Sequence, residues 1–424
     1  VQDNIGVCTP GDKATVAGVL ATELNKGLES ASVQLEATHL SQPPVSLFMK
    51  SDVNGVYGFP NAMPFGSDYT VTPVKDDDPL NGVSTFDLVL INKHILGLEP
   101  LSTPYKMIAA DANNSRSITT FDIVELRKLI LGIYTELPNN TSWRFVDEAY
   151  SFPNASNPFQ DIFPETVQLA DLQSNKSDID FVSVKVGDVN NNAVTSTLTS
   201  IEDRTDGTLL FDVQERSVKA GETFTVHFKA AEKVQGYQFT MNYNNLEVMD
   251  IVPGTNMKVD NFAVFANEGA LTTSWDGNAA AEFAVTFRAK SGGNLSQMLG
   301  VSSRITKAEA YSNDAMTNDA MSIGLRFNGQ NGSTITGLGF ELYQNAPNPF
   351  INKTQIGFYL PEASEATLTI FDETGRTLFV QTGDYGRGYN AVTLDRSLVN
   401  ATGVLYYKVE TATDSAVKKM IQVK

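Results

Sequence analysis

The chain has 424 residues, enough for about three domains at roughly 150 residues each. It carries 49 acidic against 31 basic residues, a formal charge of −18, and 42% of it is hydrophobic. That balance argues against a phosphate-gripping surface of clustered Lys and Arg, and against an anionic membrane surface. It favours solubility, or hard cations held by carboxylate oxygens.

No apolar run reaches the ~18–20 residues of a membrane span; the best, Asp87 to Leu98, is broken by Asn92, Lys93 and His94. Cys8 is the sole cysteine, so there is no intrachain disulfide framework. It is either a free thiol or the partner of a cysteine upstream. His39, His94 and His227 lie far apart, which leaves zinc few ligands. The start at Val1 without a signal peptide leads to the expectation of a removed leader or of a longer parent chain.

Residues 1–75 read as short alternating strands: Ala14 to Leu20, Ala31 to Ala37, Val45 to Lys50, Val56 to Phe59 and Tyr69 to Val74, with Asn54-Gly55 as a hairpin turn. Residues 76–132 contain an internal repeat. Val83-Ser-Thr-Phe-Asp-Leu-Val-Leu-Ile-Asn-Lys-His-Ile-Leu-Gly97 aligns with Ile118-Thr-Thr-Phe-Asp-Ile-Val-Glu-Leu-Arg-Lys-Leu-Ile-Leu-Gly132; Thr, Phe, Asp, Val, Lys, Ile, Leu and Gly recur in register. Leu88, Ile91 and Ile95, like Ile123, Leu126 and Ile130, form an apolar helical stripe, and each helix runs out at a Gly. These are the two helices the pattern predicts.

From 133 to 192 the chain is rich in Asn, Pro, Phe and Ser, with a strand at Asp180 to Val186. It reads as an irregular wrap that completes the preceding module, 76–192 in all, and Asn190 to Ser200 as a linker. Residues 205–327 predict a larger sandwich: Leu209 to Val213, Thr223 to Lys229, Gly236 to Tyr243, Glu247 to Val252, Leu271 to Trp275 and Ala281 to Ala289. A Gly/Asn/Ser linker covers 328–339. Strands near Thr354 to Leu360, Ala366 to Phe371, Thr377 to Thr382, Asn390 to Leu394, Val404 to Thr411 and Ala416 to Val423 make a last all-β module, 340–424.

The residues before each repeated helix are oxygen donors at fixed spacing. Asp111, Asn113, Ser115, Ser117, Thr119 and Asp122 fall at positions 1, 3, 5, 7, 9 and 12 of a twelve-residue loop of the kind that gives Ca2+ its about six to eight oxygens. In the first copy Asp76, Asp78, Leu80, Gly82, Ser84 and Asp87 take those places. Leu80 offers no side-chain oxygen, and Arg116 stands at position 6, where Gly normally makes the turn. Ser84-x-x-Asp87 and Thr119-x-x-Asp122 are also capping boxes, which explain each helix start but not the upstream acids. Ca2+ is therefore expected at both loops. Only two formal carboxylates serve the second, which places it toward the weak end of the calcium range. Gly187-Asp-Val-Asn-Asn191 looks like the opening of a further loop with no helix after it, and reads as a turn closing the domain.

Four resemblances follow from these residues. Ser32-Val-Gln-Leu-Glu-Ala, Gly55-Val-Tyr-Gly-Phe and Tyr69-Thr-Val-Thr-Pro resemble carboxypeptidase-regulatory-like and B-type sandwiches, mostly spacers. The paired loops and Lys-x-Ile-Leu-Gly endings of 76–132 resemble dockerin modules, from which Leu80 and Arg116 depart. Val218-Lys-Ala-Gly-Glu-Thr-Phe-Thr-Val226, Gly236-Tyr-Gln-Phe-Thr-Met-Asn-Tyr243, Leu246-Glu-Val248, Ser274-Trp275 and Phe283-Ala-Val-Thr-Phe287 resemble the cohesin-type sandwich, the usual dockerin receptor; a generic sandwich spacer is the alternative. Tyr343-Gln-Asn-Ala-Pro-Asn-Pro-Phe350, Thr354-Gln-Ile-Gly-Phe-Tyr-Leu-Pro361, Thr367-Leu-Thr-Ile-Phe-Asp372, Gly375-Arg376, Gly403-Val-Leu-Tyr-Tyr407 and Lys418-Lys-Met-Ile-Gln-Val-Lys424 resemble the type IX secretion sorting domain.

The expected fold class is thus mainly β, a chain of sandwiches with one small helical dockerin-like calcium module. No Gly-x-Ser-x-Gly, His-Glu-x-x-His, Walker loop or dinucleotide fingerprint is present, so no enzyme is expected. The resemblances imply a secreted cell-surface protein, the C-terminal region of an adhesin or appendage subunit. Its implied partners are the type IX secretion machinery and either further copies of itself, docked head to tail, or another surface protein. The alternatives are the accessory tail of a secreted hydrolase, or a sugar-binding sandwich using Trp275 and Tyr237, which requires those rings to be exposed.

Overall fold

The computed structural model describes residues 13–38, 45–196, 205–312, 320–330, 332–336, 340–360, 363–372, 374–386, 388–399, 401–412 and 415–423. Cys8, His39, Pro361 and Lys424 lie outside them. The fold is mainly β. The chain divides into two compact units, one of Val1–Leu129 with Tyr134–Ile201, the other of Ile130–Ile133 with Glu202–Lys424. No helix among the described residues is long and apolar enough to cross a membrane.

The first unit is a sandwich of two four-stranded sheets. Its strands are β1 (Lys13–Ala21), β2 (Ser32–Thr38), β3 (Val45–Lys50), β4 (Val56–Pro64), β5 (Asp68–Val74), β6 (Trp143–Asp147), β7 (Val167–Leu169) and β8 (Phe181–Lys185). One sheet runs β4-β1-β8-β6, the other β3-β2-β5-β7. Alternation explains the outer strands: along β1 the even positions Ala14, Val16 and Leu20 are fully buried and their neighbours half-exposed. β8 is buried at every position, as befits a central strand, and lies parallel to β1 through Leu20–Phe181 and Ala21–Val182.

The wrap after the helices therefore does more than complete the helical module. It supplies β6, β7 and β8 to both sheets of the N-terminal sandwich, where Trp143, Phe145 and Phe181 join Leu20, Val33 and Tyr57 in one core. Burying aromatic rings of this size contributes about 2–3 kcal/mol each, which outweighs the irregular backbone between the strands.

Three helices lie between β5 and β6: α1 (Thr85–Ile95), α2 (Pro104–Ala110) and α3 (Thr120–Ile130). The repeat predicts α1 and α3. α2 is short and was not predicted, although its start is legible: Thr103 caps it by accepting from the Lys106 N–H, and Pro104 opens its first turn. Both capping boxes form. Ser84 Oγ accepts from Phe86 N–H and Asp87 reaches back to Ser84 N–H, while Thr119 and Asp122 make the same pair of bonds.

The second unit holds an eleven-stranded sheet system, followed by a three-stranded and a four-stranded sheet from the C-terminal module. Thr223–Ala230 alternates strictly between exposed and buried, and its Phe and Val side chains enter a core with Phe211, Phe239, Phe283 and Phe287. Thr205–Gln214 and Ala320–Gly329 pair in parallel, joining the larger sandwich's first strand to one near its end, with Gly332–Thr336 as a further strand beside the latter. The C-terminal module has a separate core around Phe350, Phe358, Leu368, Tyr407 and Met420.

Candidate metal centre

The second loop closes on itself. Asp111 is fully buried, and its carboxylate accepts from Ser115 N–H at 2.8 Å through Oδ1 and from Arg116 N–H at 2.8 Å through Oδ2. Asn113 Oδ1 also accepts from Ser115 N–H, at 3.0 Å. From the far end Asp122, fully buried, accepts from Thr119 N–H through Oδ2 and from Asn113 N–H through Oδ1. Ser115 and Ser117 hydroxyls lie 3.0 Å apart. All six expected residues are thus drawn together. Arg116 adopts the left-handed conformation, φ 62°, that Gly would supply at position 6, and Asn114 does so at position 4, φ 55°. The Arg116 guanidinium donates to the carbonyls of Phe159 and Asp161, which offsets that strain.

The first loop is built differently. Gly82, Ser84 and Asp87 stand where the repeat predicts, but Asp76 and Asp78 are exposed whereas Asp87 is fully buried. Asp76 Oδ1 instead accepts from Ser142 N–H at 2.7 Å. The second oxygen of Asp87 accepts from Val189 N–H at 2.9 Å, across 102 positions.

Val189 belongs to the fragment that reads in sequence as a closing turn. That fragment repeats the main backbone bonds of the second loop's opening half, although Asp87 takes the N–H at position 2 where Asp122 takes that at position 3, and Ala193 lacks the left-handed turn of Arg116. Asp188 accepts from Asn192 N–H at 3.2 Å and Ala193 N–H at 2.9 Å, as Asp111 does from the residues four and five ahead of it. Asn190 Oδ1 accepts from Asn192 N–H, as Asn113 does from Ser115. Asn191 takes φ 62° at position 4, matching Asn114. The turn before each Asp is also shared, since Asp188 N–H donates to Lys185 O and Asp111 N–H to Ile108 O. Ala193, at position 6, abuts Gly82, at position 7: a Cβ on Gly82 would lie 2.7 Å from Ala193 Cα. One loop is contiguous. The other is split, with positions 1 to 6 from Asp188–Ala193 and positions 7 to 12 from Gly82–Asp87. Asp188, Asn190 and Asn192 are the candidate donors that the sequence reading left out, and Asp-x-Asn-x-Asn was the signal.

The electrostatics of the two loops agree. Burial, and then the charge of Asp188, hold the Asp87 carboxyl well above the usual carboxylate range. Burial also raises Asp188, and it raises Asp111, where Asp122 adds to the effect. In the split loop both facing carboxylates, Asp87 and Asp188, are raised, and relieving such a pair is what a divalent cation does. Among the described residues no three His, Cys, Asp or Glu side chains gather at one point. Each loop offers two carboxylates, and the remaining oxygens come from amides, hydroxyls and a carbonyl, a hard donor set suited to Ca2+. Beside the split loop lies Lys185, 4% exposed, whose ammonium donates to Pro79 O at 2.8 Å and Val186 O at 3.2 Å. Burial pulls it down to about 8, against the charges of Asp188, Asp78, Asp87 and Asp76.

The aromatic pair in the larger sandwich is a correction. Trp275 is 1% exposed and Tyr237 fully buried, and the Trp275 indole N–H donates to Asn256 O at 3.1 Å. Neither ring offers a platform for a sugar, so sugar binding through them is ruled out. In the C-terminal module the Asn-Ala-Pro-Asn-Pro-Phe segment fastens the first strands to the last. The Asn345 amide donates to Thr354 Oγ1 and Pro347 O, Tyr407 OH donates to Tyr343 O, and Phe350 exchanges backbone bonds with Ile421 and Val423.

No protein-family model and no curated protein sequence matches this chain. Among solved structures, a non-cellulosomal cohesin from the archaeon Archaeoglobus fulgidus aligns with 31% of this chain and 91% of its own, at 16% identity and a TM-score of 0.21. CaCohA2 from Clostridium acetobutylicum aligns with 29% of this chain and 92% of its own, at 14% identity and a TM-score of 0.17. BcpA, the major pilin subunit of Bacillus cereus, aligns over 97% of each chain at 9% identity and a TM-score of 0.19. At these identities and scores the similarities carry no argument about what this chain does.

Proposed function

We propose that this chain is a non-enzymatic structural or adhesive protein of a cell surface, stiffened by two calcium ions in its first unit. The observation that supports the reading most is the hydrogen-bond pattern shared by two buried acids, Asp111 and Asp188, each facing a second buried acid, Asp122 and Asp87. Ca2+ would be held by Asp111, Asn113, Ser115, Ser117, Thr119 and Asp122 in one loop. In the other it would be held by Asp188, Asn190, Asn192, Gly82, Ser84 and Asp87. It supplies charge neutralisation and cross-linking there, with no bond made or broken.

Export by the type IX route rests on the resemblance of 340–424 to the sorting domain, and the fastening of Asn345, Phe350 and Tyr407 supplies a compact module for it. Self-assembly rests on the dockerin-like and cohesin-like pairing, and the exposed Phe121 and Leu98 of the helical segment are apolar surface a partner would cover. Calorimetric titration of the full chain is expected to show two bound ions and a higher melting temperature with calcium. No binding and an unchanged melting curve would overturn the calcium reading. In a host with type IX secretion, a chain lacking 340–424 is expected to stay inside the cell; normal export of that chain would remove the sorting role.

A further inference from the structure

A site assembled from segments 102 positions apart faces a cost that a contiguous loop does not. If calcium itself had to bring the halves together, closing ~100 residues would weaken binding on the order of a thousandfold, since the closure probability falls as the 3/2 power of length. The structure holds the halves together by contacts that use none of the cation-facing oxygens. Asn81 Nδ2 donates to Val194 O at 2.8 Å, and Val194 N–H donates back to Asn81 Oδ1 at 2.8 Å. The buried Lys185 ammonium ties β8 to Pro79 O. Gly82 and Ala193 touch backbone to backbone. On the other side Asn191 is anchored to Glu23 through its amide and to Lys26 through its carbonyl.

We infer that Asn81, with Lys185, is a metal-independent clasp that pre-assembles the split loop, so that calcium enters a formed site rather than building one. The inference rests on the calcium reading given above, and deepens it. Asn81 is a positioning residue. It sits one place before the loop's second half and reads the backbone of the residue that follows its first half. The contiguous loop has no need of such a clasp, because its halves are joined covalently between Arg116 and Ser117.

The test is a calcium titration of the full chain and of Asn81→Ala, resolving the two binding steps. The substitution is expected to weaken one step by tenfold or more and leave the other unchanged. Combined with Asp188→Asn, which removes the split loop, it is expected to change nothing further. Two unchanged steps in Asn81→Ala would overturn the clasp. Should Asn81→Ala not fold, Asn81→Asp keeps the acceptor and loses the donor, and a selective loss in one step is again expected. Should the native chain bind no calcium, the calcium reading fails and the clasp is judged by amide hydrogen exchange in chelator. Protected Val189, Ala193 and Val194 amides uphold it, and free exchange at all three overturns it.

Discussion

The two copies of the repeat share helix, cap and acid, yet they close their loops in opposite ways. In the second copy Asp111 through Asp122 fold around one another, and the residue at the tight position, Arg116, is held in a left-handed conformation by carbonyls at Phe159 and Asp161. In the first copy Asp188–Ala193 lies against Gly82–Asp87, and on the calcium reading proposed above it stands in for the opening half. Asp76 and Asp78 retain the spacing of ligands but are turned to other partners: Asp76 accepts from Ser142 N–H, and Asp78, its carboxyl raised by burial, lies near the Lys185 ammonium. The same donor spacing is thus contiguous in one copy and assembled from two segments in the other.

Chelation gives the largest expected effect on this pair. At a free calcium concentration about a hundredfold above the dissociation constant, each ion stabilises its unit by about 2.7 kcal/mol. Removing both should lower the melting transition of the first unit and leave that of the second in place. Two equally shifted transitions, or none, would break the comparison. Site by site, Asp188→Asn and Asp111→Asn should each reduce calcium stoichiometry from two to one, whereas Asp76→Asn should keep both ions. Loss of an ion in Asp76→Asn would restore the contiguous reading of the first loop.

The turns sharpen the contrast at smaller cost. Gly82, at φ 75°, has no room for a Cβ against Ala193, so Gly82→Ala is expected to destabilise the first unit by about 2 kcal/mol in denaturant unfolding. Arg116→Gly removes strain of about 1 kcal/mol and loses two carbonyl bonds, leaving a net change within about 1 kcal/mol. A larger cost in Arg116→Gly than in Gly82→Ala would show that the two carbonyl bonds of Arg116 matter more than the close Gly82–Ala193 packing. The second unit supplies a control of still smaller size. Hydrogen bonds from Arg326 hold the Asp212 carboxyl below the usual range. Its contribution is present above the unfolded value of about 3.9 and lost as pH falls through the lower folded value. On this partly exposed surface it amounts to less than about 1 kcal/mol. Asp212→Asn should flatten that part of the acid stability curve, independent of calcium.

Much of the fold was legible because strands announce themselves locally. Thr223 to Lys229 alternates, α1 and α3 repeat, and Ser84 and Thr119 cap as their spacing predicts. α2 was missed because seven residues hold barely two turns of periodicity, though Thr103-Pro104 marked its start. β6 and β7 were missed because pairing partners such as Tyr69 and Leu169 stand a hundred positions apart, and alternation says nothing about which edge a strand joins. The contiguous loop was legible for the reason the split one was not. Six residues in register can be counted along a chain, but a junction between Ala193 and Gly82 exists only after folding. Asp76 and Asp78 offered a local match in register, and the pattern alone cannot show that Asp188–Ala193 comes to lie beside Gly82–Asp87 instead.

The split loop also sets an order of events. A chain emerging from the ribosome presents Asp111 to Asp122 as one uninterrupted stretch, so that loop's own donors are all present before Phe159 and Asp161 arrive to hold Arg116. The other loop lacks its opening half until Asp188–Ala193 has appeared, and β8, just before it, must first insert beside β1. The first unit is therefore locked by the arrival of its own last residues. Chains ending at Val186 and at Ser196 should differ by one bound ion, and that difference dates the step.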